Sequence, residues 1–271
     1  MISVSIVLFH NKYEEISFLI NSILDSVNVN ISNIYLIDNS NNNSLKALKN
    51  IDEKVIYIYS NKNLGYGKGH NIGMKLSMKN RNKFHIVINP DVSLNKDVLQ
   101  KLKKFMNENP DIAQVMPKVF YPDGKIQYLC KLIPTPFDLF IRIFVTKKLF
   151  RLRRNIFQLK FTNYNRIMEV PFLSGCFMFL RTKVLEDIGL FDERFFMYAE
   201  DIDLTRRINE KYKTIFYPKT FIYHGHAKES FKKIKLLYIH LTNIIIYFNK
   251  WGWIFDSKRK KINKRILKQL N

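Results

Sequence analysis

Short apolar runs alternate with helix-length amphipathic stretches through the first 117 residues, and this alternation constrains the fold more than any other feature of the chain. The runs Ile2–Leu8, Asn33–Ile37, Lys54–Tyr59, Phe84–Ile88 and Ile112–Met116 have the length and β-branched content of buried strands. Between them, Tyr13–Ser26, Ser44–Lys49, Lys68–Lys79 and Asn95–Asn107 read as helices. A βαβα rhythm of this kind predicts an α/β fold, a mainly parallel, doubly wound sheet with helices on both faces. Further along, Tyr121-Pro122-Asp123-Gly124-Lys125 has the turn chemistry of a hairpin. Val170–Leu180 reads as another buried strand, and a helix is expected from Glu200 to Lys211. Short strands at Thr214–Tyr217 and Phe221–Tyr223 precede a helical tail. No repeat or low-complexity linker divides the chain. The expectation is one α/β domain over residues 1–227, interrupted by a basic amphipathic insertion at 139–168, and a basic helical tail over 228–271.

The charge is concentrated where the α/β rhythm breaks. The 271 residues carry a net charge of +22, with 46% hydrophobic and 25% charged residues, a globular composition that excludes disordered and collagen-like chains. Leu139–Met168 holds eight basic residues and no acidic one, and Lys228–Asn271 holds twelve against Glu229 and Asp256. Both segments interleave these bases with bulky apolar residues such as Phe140, Phe150 and Phe157, or Phe248, Trp251 and Trp253. That combination suits the headgroup zone of an anionic membrane. The plain alternative is a solvated basic face on two core helices. Nucleic acid is the other anionic candidate, but no nucleic-acid-binding motif accompanies the charge. The uncharged run Leu236–Asn249 is 14 residues long and includes His240, Thr242 and Asn243, short of the roughly 20 apolar residues of a membrane span. The first ten residues lack the basic lead and cleavage site of a signal peptide. Cys130 and Cys176 offer neither a metal pair nor a disulfide framework. A cytoplasmic protein, peripheral on the inner face of the membrane, is expected.

In open α/β sheets, ligands bind beyond the carboxyl ends of the strands. The first predicted strand runs into His10-Asn11, the second into Asp38-Asn39-Ser40 and the fourth into Asn89-Pro90-Asp91. Each alone is an ordinary turn, but together they deliver polar groups to one edge and favour a polar-ligand site. Asn63-Leu64-Gly65-Tyr66-Gly67-Lys68-Gly69-His70-Asn71-Ile72-Gly73 is neither a P-loop nor a dinucleotide fingerprint. It offers close backbone approach and free N–H groups at a helix start, suited to phosphate, or else a turn with tight helix packing. A second cluster, Phe195 to Arg207, opens a helix with Glu200, Asp201 and Asp203. Those carboxylates either cap the helix, with Arg206 and Arg207 as surface partners, or supply a base beside the apolar wall of Phe195, Phe196, Met197 and Tyr198.

Taken in order, these residues resemble the family 2 inverting glycosyltransferases of the GT-A fold, especially their rhamnosyltransferase-like branch. The resemblance runs from residue 3 to about residue 226. It is carried by Val4-Ser5-Ile6-Val7 leading to His10-Asn11, Ile37-Asp38-Asn39-Ser40, Asn63-Leu64-Gly65-Tyr66-Gly67 to Asn71-Ile72-Gly73, and Asn89-Pro90-Asp91. Ser174-Gly175-Cys176-Phe177, Gly189-Leu190-Phe191-Asp192-Glu193, Tyr198-Ala199-Glu200-Asp201-Ile202-Asp203-Leu204 and Tyr223-His224-Gly225 complete it.

The resemblance implies a nucleotide-sugar donor, dTDP-rhamnose or a UDP-hexose, at the carboxyl edge of a GT-A sheet. Asp38 is then expected on the base or ribose, with His10 and Asn11 lining the same pocket, Asn39, Asn71 and Gly175 as further substrate-binding residues, and Lys68 able to stabilise the leaving diphosphate. Asp91 stands where the family's DXD aspartate meets Mg²⁺ or Mn²⁺, and Asn89 replaces the first aspartate of that motif. His224 falls where some relatives add an imidazole to the metal. Asp201 matches the catalytic base, with Glu200 and Asp203 shaping its surroundings. One base suffices for an in-line inverting displacement, whereas a glycosidase needs two carboxyls flanking the bond. The expected acceptor is a glycan, lipid-linked, in surface polysaccharide assembly. A noncatalytic GT-A-like scaffold subunit is the alternative, motivated by Asn89, and a basic RNA-binding protein is a third.

Overall fold

The computed structural model describes residues 1–144, 150–225 and 234–270. The remainder of the two basic segments, including Lys147, Lys148 and Lys228, lies outside the described residues. Strands β1 (Ile2–Leu8), β2 (Ile31–Asp38), β3 (Val55–Tyr59) and β4 (Phe84–Ile88) pair in parallel in the order 3-2-1-4. Strand β1 therefore lies between β2 and β4, at the point where the winding reverses direction. In open α/β sheets that crevice is the binding position, and here it receives His10-Asn11 from β1 and Asn89-Pro90-Asp91 from β4.

The sheet continues with β10 (Phe177–Arg181), antiparallel to both β4 and β6 (Ile112–Phe120). Beyond it, β11 (Lys213–His224) runs parallel to β6 and antiparallel to β5 (Val92–Leu94) and β8 (Met168–Glu169). Among the described residues these nine strands form one mixed, mainly parallel sheet. The two short strands expected near residues 214–223 are a single strand with a register shift between Tyr217 and Phe221. Pro218, which has no N–H to give to the ladder, lies inside that shift. The strand expected at Val170–Leu180 is instead two pieces, preceded by a short strand of its own. Met168–Glu169 joins β11, Phe172–Leu173 (β9) pairs with Cys130–Lys131 (β7) in a separate two-stranded sheet, and Phe177–Arg181 enters the main sheet. Pro171 and the Ser174-Gly175 turn break the run, and period-2 hydrophobicity cannot register such a change of sheet.

Two cores flank the sheet. Helices α1 (Tyr13–Leu24) and α3 (Val98–Glu108) pack against Val4, Ile6, Ile86 and Ile88 on one face. Helices α2 (Tyr66–Lys79), α6 (Thr182–Ile188) and α7 (Glu200–Asn209) cover Val87, Met178 and Leu180 on the other. Under α2 the core is polar. Ser3 bonds Ser77 and His85, and Ser5 bonds His85 and His70, all at 2.7–2.9 Å. Burial pushes the His85 imidazole down to about 3, and holds His70 well below its ordinary value with His85 adding to the effect. Neutral rings can share these hydroxyls without a desolvated charge. A Cβ on Gly73 would lie 2.6 Å from the Ser5 Cβ, so the small residues on both sides bring α2 against β1.

Helices α4 (Pro136–Phe144) and α5 (Arg151–Phe157) form the insertion, and α8 (Ile234–Trp251) and α9 (Ser257–Leu270) form the tail. The tail is bonded to the sheet domain. Arg206 of α7, fully buried, makes a two-pronged ion pair with buried Asp256 at 2.8 Å on each arm and stacks 3.9 Å over Trp251. Asn263 exchanges two hydrogen bonds with the backbone of Ile133. Arg206 is thus a core residue and not the surface partner its helical position suggested. The reason is that the tail, 50 residues on, folds over it. Among the described residues no helix is long and apolar enough to cross a membrane, and Cys130 and Cys176 are buried and unbridged.

Candidate active site

The carboxyl edge of the sheet gathers the polar strand ends. Asp38, at the end of β2, is fully buried. Its Oδ1 accepts the Ser40 N–H at 2.9 Å and its Oδ2 accepts the Tyr57 hydroxyl at 2.5 Å. Burial raises the Tyr57 phenol, and the bond to Asp38 raises it further. Next to it, His10 is exposed, sits at φ 54° and donates its N–H to the Ser40 hydroxyl, while Asn11 accepts the Phe9 N–H. Asn39 donates to the Gly65 carbonyl at 3.0 Å and so ties this edge to the start of α2.

The glycine-rich segment positions that helix start. Gly65 has φ +82°, and a Cβ there would lie 2.3 Å from the Phe196 carbonyl oxygen, so only glycine fits. Lys68 is half exposed and pairs with Glu193 at 3.2 Å. Asn71 is buried. Its amide donates to the Phe191 carbonyl and accepts the Phe191 N–H, fixing the loop that leads to residues 195–199.

At the β4 end, Asn89, Asp91 and His224 converge although 135 positions separate the first from the last. His224 Nε2 lies 3.3 Å from both Asn89 Nδ2 and Asp91 Oδ1. On the other side of the ring, Nδ1 lies 3.0 Å from Gln127 Oε1. Gln127 donates through Nε2 to the His224 carbonyl at 2.7 Å, which fixes its amide orientation and makes Nδ1 the protonated ring nitrogen. Nε2 on the opposite side of the ring faces the Asp91 carboxylate and the Asn89 amide nitrogen. The Asn89 Oδ1 is buried and finds no hydrogen-bond partner among the described residues. Asp91 and His224 could hold a divalent cation such as Mn²⁺ or Mg²⁺ through a carboxylate oxygen and an imidazole nitrogen, with the Asn89 amide beside them, although among the described residues no group of three or more His, Cys, Asp or Glu is gathered for a metal. The Gln127 bond is the outer-shell contact that typically orients a ligating imidazole.

Residues 174–176 join this corner to α7. The Asn89 N–H donates to the Cys176 carbonyl at 2.9 Å. The Gly175 N–H donates to Asp201 Oδ2 at 3.0 Å, and the Gly175 carbonyl accepts the Tyr66 hydroxyl at 2.5 Å. Burial raises the Tyr66 phenol well above its ordinary value, and the charges of Glu200, Asp201 and Asp91 raise it further, so all three carboxyls act on one point. Glu200 is buried with Oε2 unpartnered. Burial first, and the Asp201 charge second, push its carboxyl up to about 8.

Helix α7 begins under strain. Tyr198 and Ala199 have φ of 73° and 72°, a region that non-glycine residues seldom occupy. The turn is held by Asn243, which donates to the Met197 carbonyl, and by the Tyr198 ring stacked edge-on to His240 at 4.8 Å. Asp203 is brought to a different place from Asp201. Fully buried, it accepts from Arg207 and Trp251 and pairs with Lys250 at 2.6 Å. It anchors the tail to α7, two residues along the helix from Asp201.

Tyr57, Tyr66 and Gln127 belong to this constellation but carry no functional signal of their own in the sequence. Tyr66 lies within the glycine-rich segment and could be suspected there. Gln127 is brought in only by the hairpin after β6.

Residues 5–189 match the family Glycosyl transferase family 2. The chain belongs to that family. The Low-salt glycan biosynthesis hexosyltransferase Agl10 of Haloferax volcanii is 27% identical over 178 residues, 65% of this chain and 53% of that protein. The chain thus spans about half the length of this curated relative. Among solved structures, S. aureus TarS 1–349 in complex with UDP superimposes with TM-score 0.60 at 17% identity, over 98% of this chain and 70% of that one. GalNAc-T7 with UDP, GalNAc and Mn²⁺ gives TM-score 0.65 at 15% identity, over 95% of this chain and 48% of that one. At these identities the structural likenesses establish the GT-A fold expected from the sequence, and the family match agrees with the resemblance seen in the motifs.

Proposed function

We propose that this family 2 member is an inverting glycosyltransferase that moves a sugar from a nucleoside diphosphate to a hydroxyl of a glycan acceptor. The observation that carries the reading is the pair of backbone bonds at residues 174–176, which tie the Asn89–Asp91 corner to Asp201. Asp201 is the base: it takes the proton of the acceptor hydroxyl as that oxygen bonds the anomeric carbon and the bond to the diphosphate breaks. Glu200, whose carboxyl burial and the neighbouring Asp201 push up to about 8, keeps its proton at neutral pH. Asp38 with His10, Asn11 and Asn39 binds the nucleoside, and Lys68, Asn71 and Gly175 border the diphosphate side. Asp91 and His224, with Asn89 beside them, would hold a divalent cation, which neutralises charge on the leaving diphosphate when bound. The UDP held by TarS and GalNAc-T7 supports a nucleotide donor of the UDP or dTDP class. The Agl10 name supports a hexosyl donor and glycan assembly.

The acceptor is a lipid-linked saccharide of surface polysaccharide synthesis, and the protein is peripheral on the cytoplasmic face of the membrane. Support comes from the +18 carried by residues 139–168 and 228–271. Residues 1–227 form the transferase domain, and 228–271 serve as its membrane-side tail.

The test is calorimetric titration of UDP, dTDP and GDP, with and without Mn²⁺, into the wild type and Asp91→Ala. Metal-dependent binding of one nucleotide, lost in the variant, supports the reading. A folded protein that binds none of them is a noncatalytic subunit.

A further inference from the structure

Buried Arg259 ties the loop that carries one exposed apolar segment to Pro134, two residues before the helix that opens another. Arg259 donates from Nη2 to the Trp253 and Ile254 carbonyls at 3.4 and 3.3 Å, and from Nη1 to the Pro134 carbonyl at 3.4 Å. Its own N–H is held by Asp256, the partner of Arg206. The loop between α8 and α9 is therefore pinned beside the start of α4. Gly252 at φ +95° turns the chain out of α8, and the Trp253 ring packs 5.2 Å from Phe248. The next two residues project outward: Ile254 is 73% exposed and Phe255 is 90% exposed. Across Pro134, exposed Phe137 packs edge-on to exposed Phe150 at 5.5 Å, and Leu152 projects at 77% exposure.

A soluble surface has no use for a rigidly held Ile-Phe pair, and exposed apolar prominences of this kind mark a partner. The partner's sign is written in the rim. Lys260, Lys261 and Lys264 on α9 and Arg151 on α5 are exposed near the two segments, while Lys258 and Arg153, also exposed, pair with Glu210 and Asp138. Short apolar anchors ringed by lysine and arginine fit a bilayer rich in anionic lipid, where bases meet headgroups and apolar tips enter the acyl boundary.

From this geometry we infer that the 253–255 loop, with Phe137, Phe150 and Leu152 beside it, is the bilayer-inserting face, and that Ile254 and Phe255 are its anchors. The inference rests on the peripheral-membrane reading above and names the surface responsible. The same loop is tied to α7 through Asp256–Arg206 and Trp251–Asp203, so insertion would set the helix that carries Asp201 close to the headgroup plane, where a lipid-linked acceptor arrives.

Flotation with phosphatidylglycerol/phosphatidylcholine vesicles tests it, comparing the full chain with the Ile254→Ser/Phe255→Ser double variant. Unchanged thermal melting and UDP titration serve as fold controls. The variant is expected to partition at least about tenfold more weakly, and Phe255→Trp is expected to show a blue-shifted emission on vesicle addition. Equal partitioning of wild type and variant overturns the assigned face but leaves the membrane reading intact. A wild type that never floats overturns both. A third result would also refute the proposal: sedimentation showing a wild-type dimer that the double variant dissociates, with vesicle binding unaffected, makes the loop a contact between copies of the chain.

Discussion

The backbone N–H of Gly175 donates to Oδ2 of Asp201 across 3.0 Å, linking a turn between two strands to the first turn of a helix 26 positions later. The bond leaves Asp201 oriented before any acceptor arrives. Asp201→Asn keeps an acceptor oxygen for Gly175 but removes the basic carboxylate. Sugar transfer should fall by about 10²–10⁴-fold, while calorimetric nucleotide binding stays near wild type. Retained turnover removes Asp201 from the role of base.

Glu200 makes stability depend on pH. Its carboxyl sits at about 8 in the fold, raised by burial and then by Asp201, against 4.5 for the ordinary group. Between these values the folded chain holds a proton that the unfolded chain has lost, so stability falls as pH rises from about 4.5 to about 8. Glu200→Gln removes this component. Thermal melts across that range should show a shallower decline for the variant, and parallel curves would contradict the assignment.

Gln127 is placed to orient the His224 ring rather than to touch a ligand. Gln127→Leu should weaken Mn²⁺-dependent UDP binding by about 10–100-fold, the usual effect of losing such an outer contact. Binding without metal should be unchanged. A titration in which both affinities drop alike would instead indicate a general loss of structure around β6.

The Arg206–Asp256 pair closes the tail over α7. Removing one partner of a buried pair leaves the other charge uncompensated, so Asp256→Ala should cost about 3–5 kcal/mol in urea unfolding. The apolar double variant Arg206→Met/Asp256→Leu should be more stable than Asp256→Ala. If it is equally unstable, packing against Trp251 and not charge is what the pair supplies.

Gly65→Ala forces a Cβ toward the Phe196 carbonyl at a φ that side chains avoid. The loss should be about 1–3 kcal/mol. Because Phe196 leads into the strained turn before Glu200, transfer rate should fall more than the stability change alone accounts for. Kinetics at a temperature where the variant is fully folded would separate the two.

Much of the sheet could be read from the chain because parallel strands buried on both faces leave continuous apolar runs, as at Ile2–Leu8 and Phe84–Ile88, both of which form at the expected bounds. The expected Val170–Leu180 strand shows the limit. It is largely apolar, but Pro171 and Ser174-Gly175 divide it between two pairings in different sheets that local pattern cannot distinguish. Arg206 shows the same limit for burial, since helical spacing places it beside Glu210 and only a distant segment removes it from water.

The α/β class, the polar strand ends at Asp38 and Asn89–Asp91, and the carboxylates that open α7 are legible in the chain because each is a property of neighbouring residues. Tertiary structure alone decided that His224 meets Asp91 with Gln127 behind it, that Asp203 anchors the tail while Asp201 faces Gly175, and that Arg259 ties the loop carrying Ile254 and Phe255 to Pro134. Those facts depend on contacts between residues tens to more than a hundred positions apart. Such contacts are fixed by how the whole core packs, and no local window of the sequence carries them.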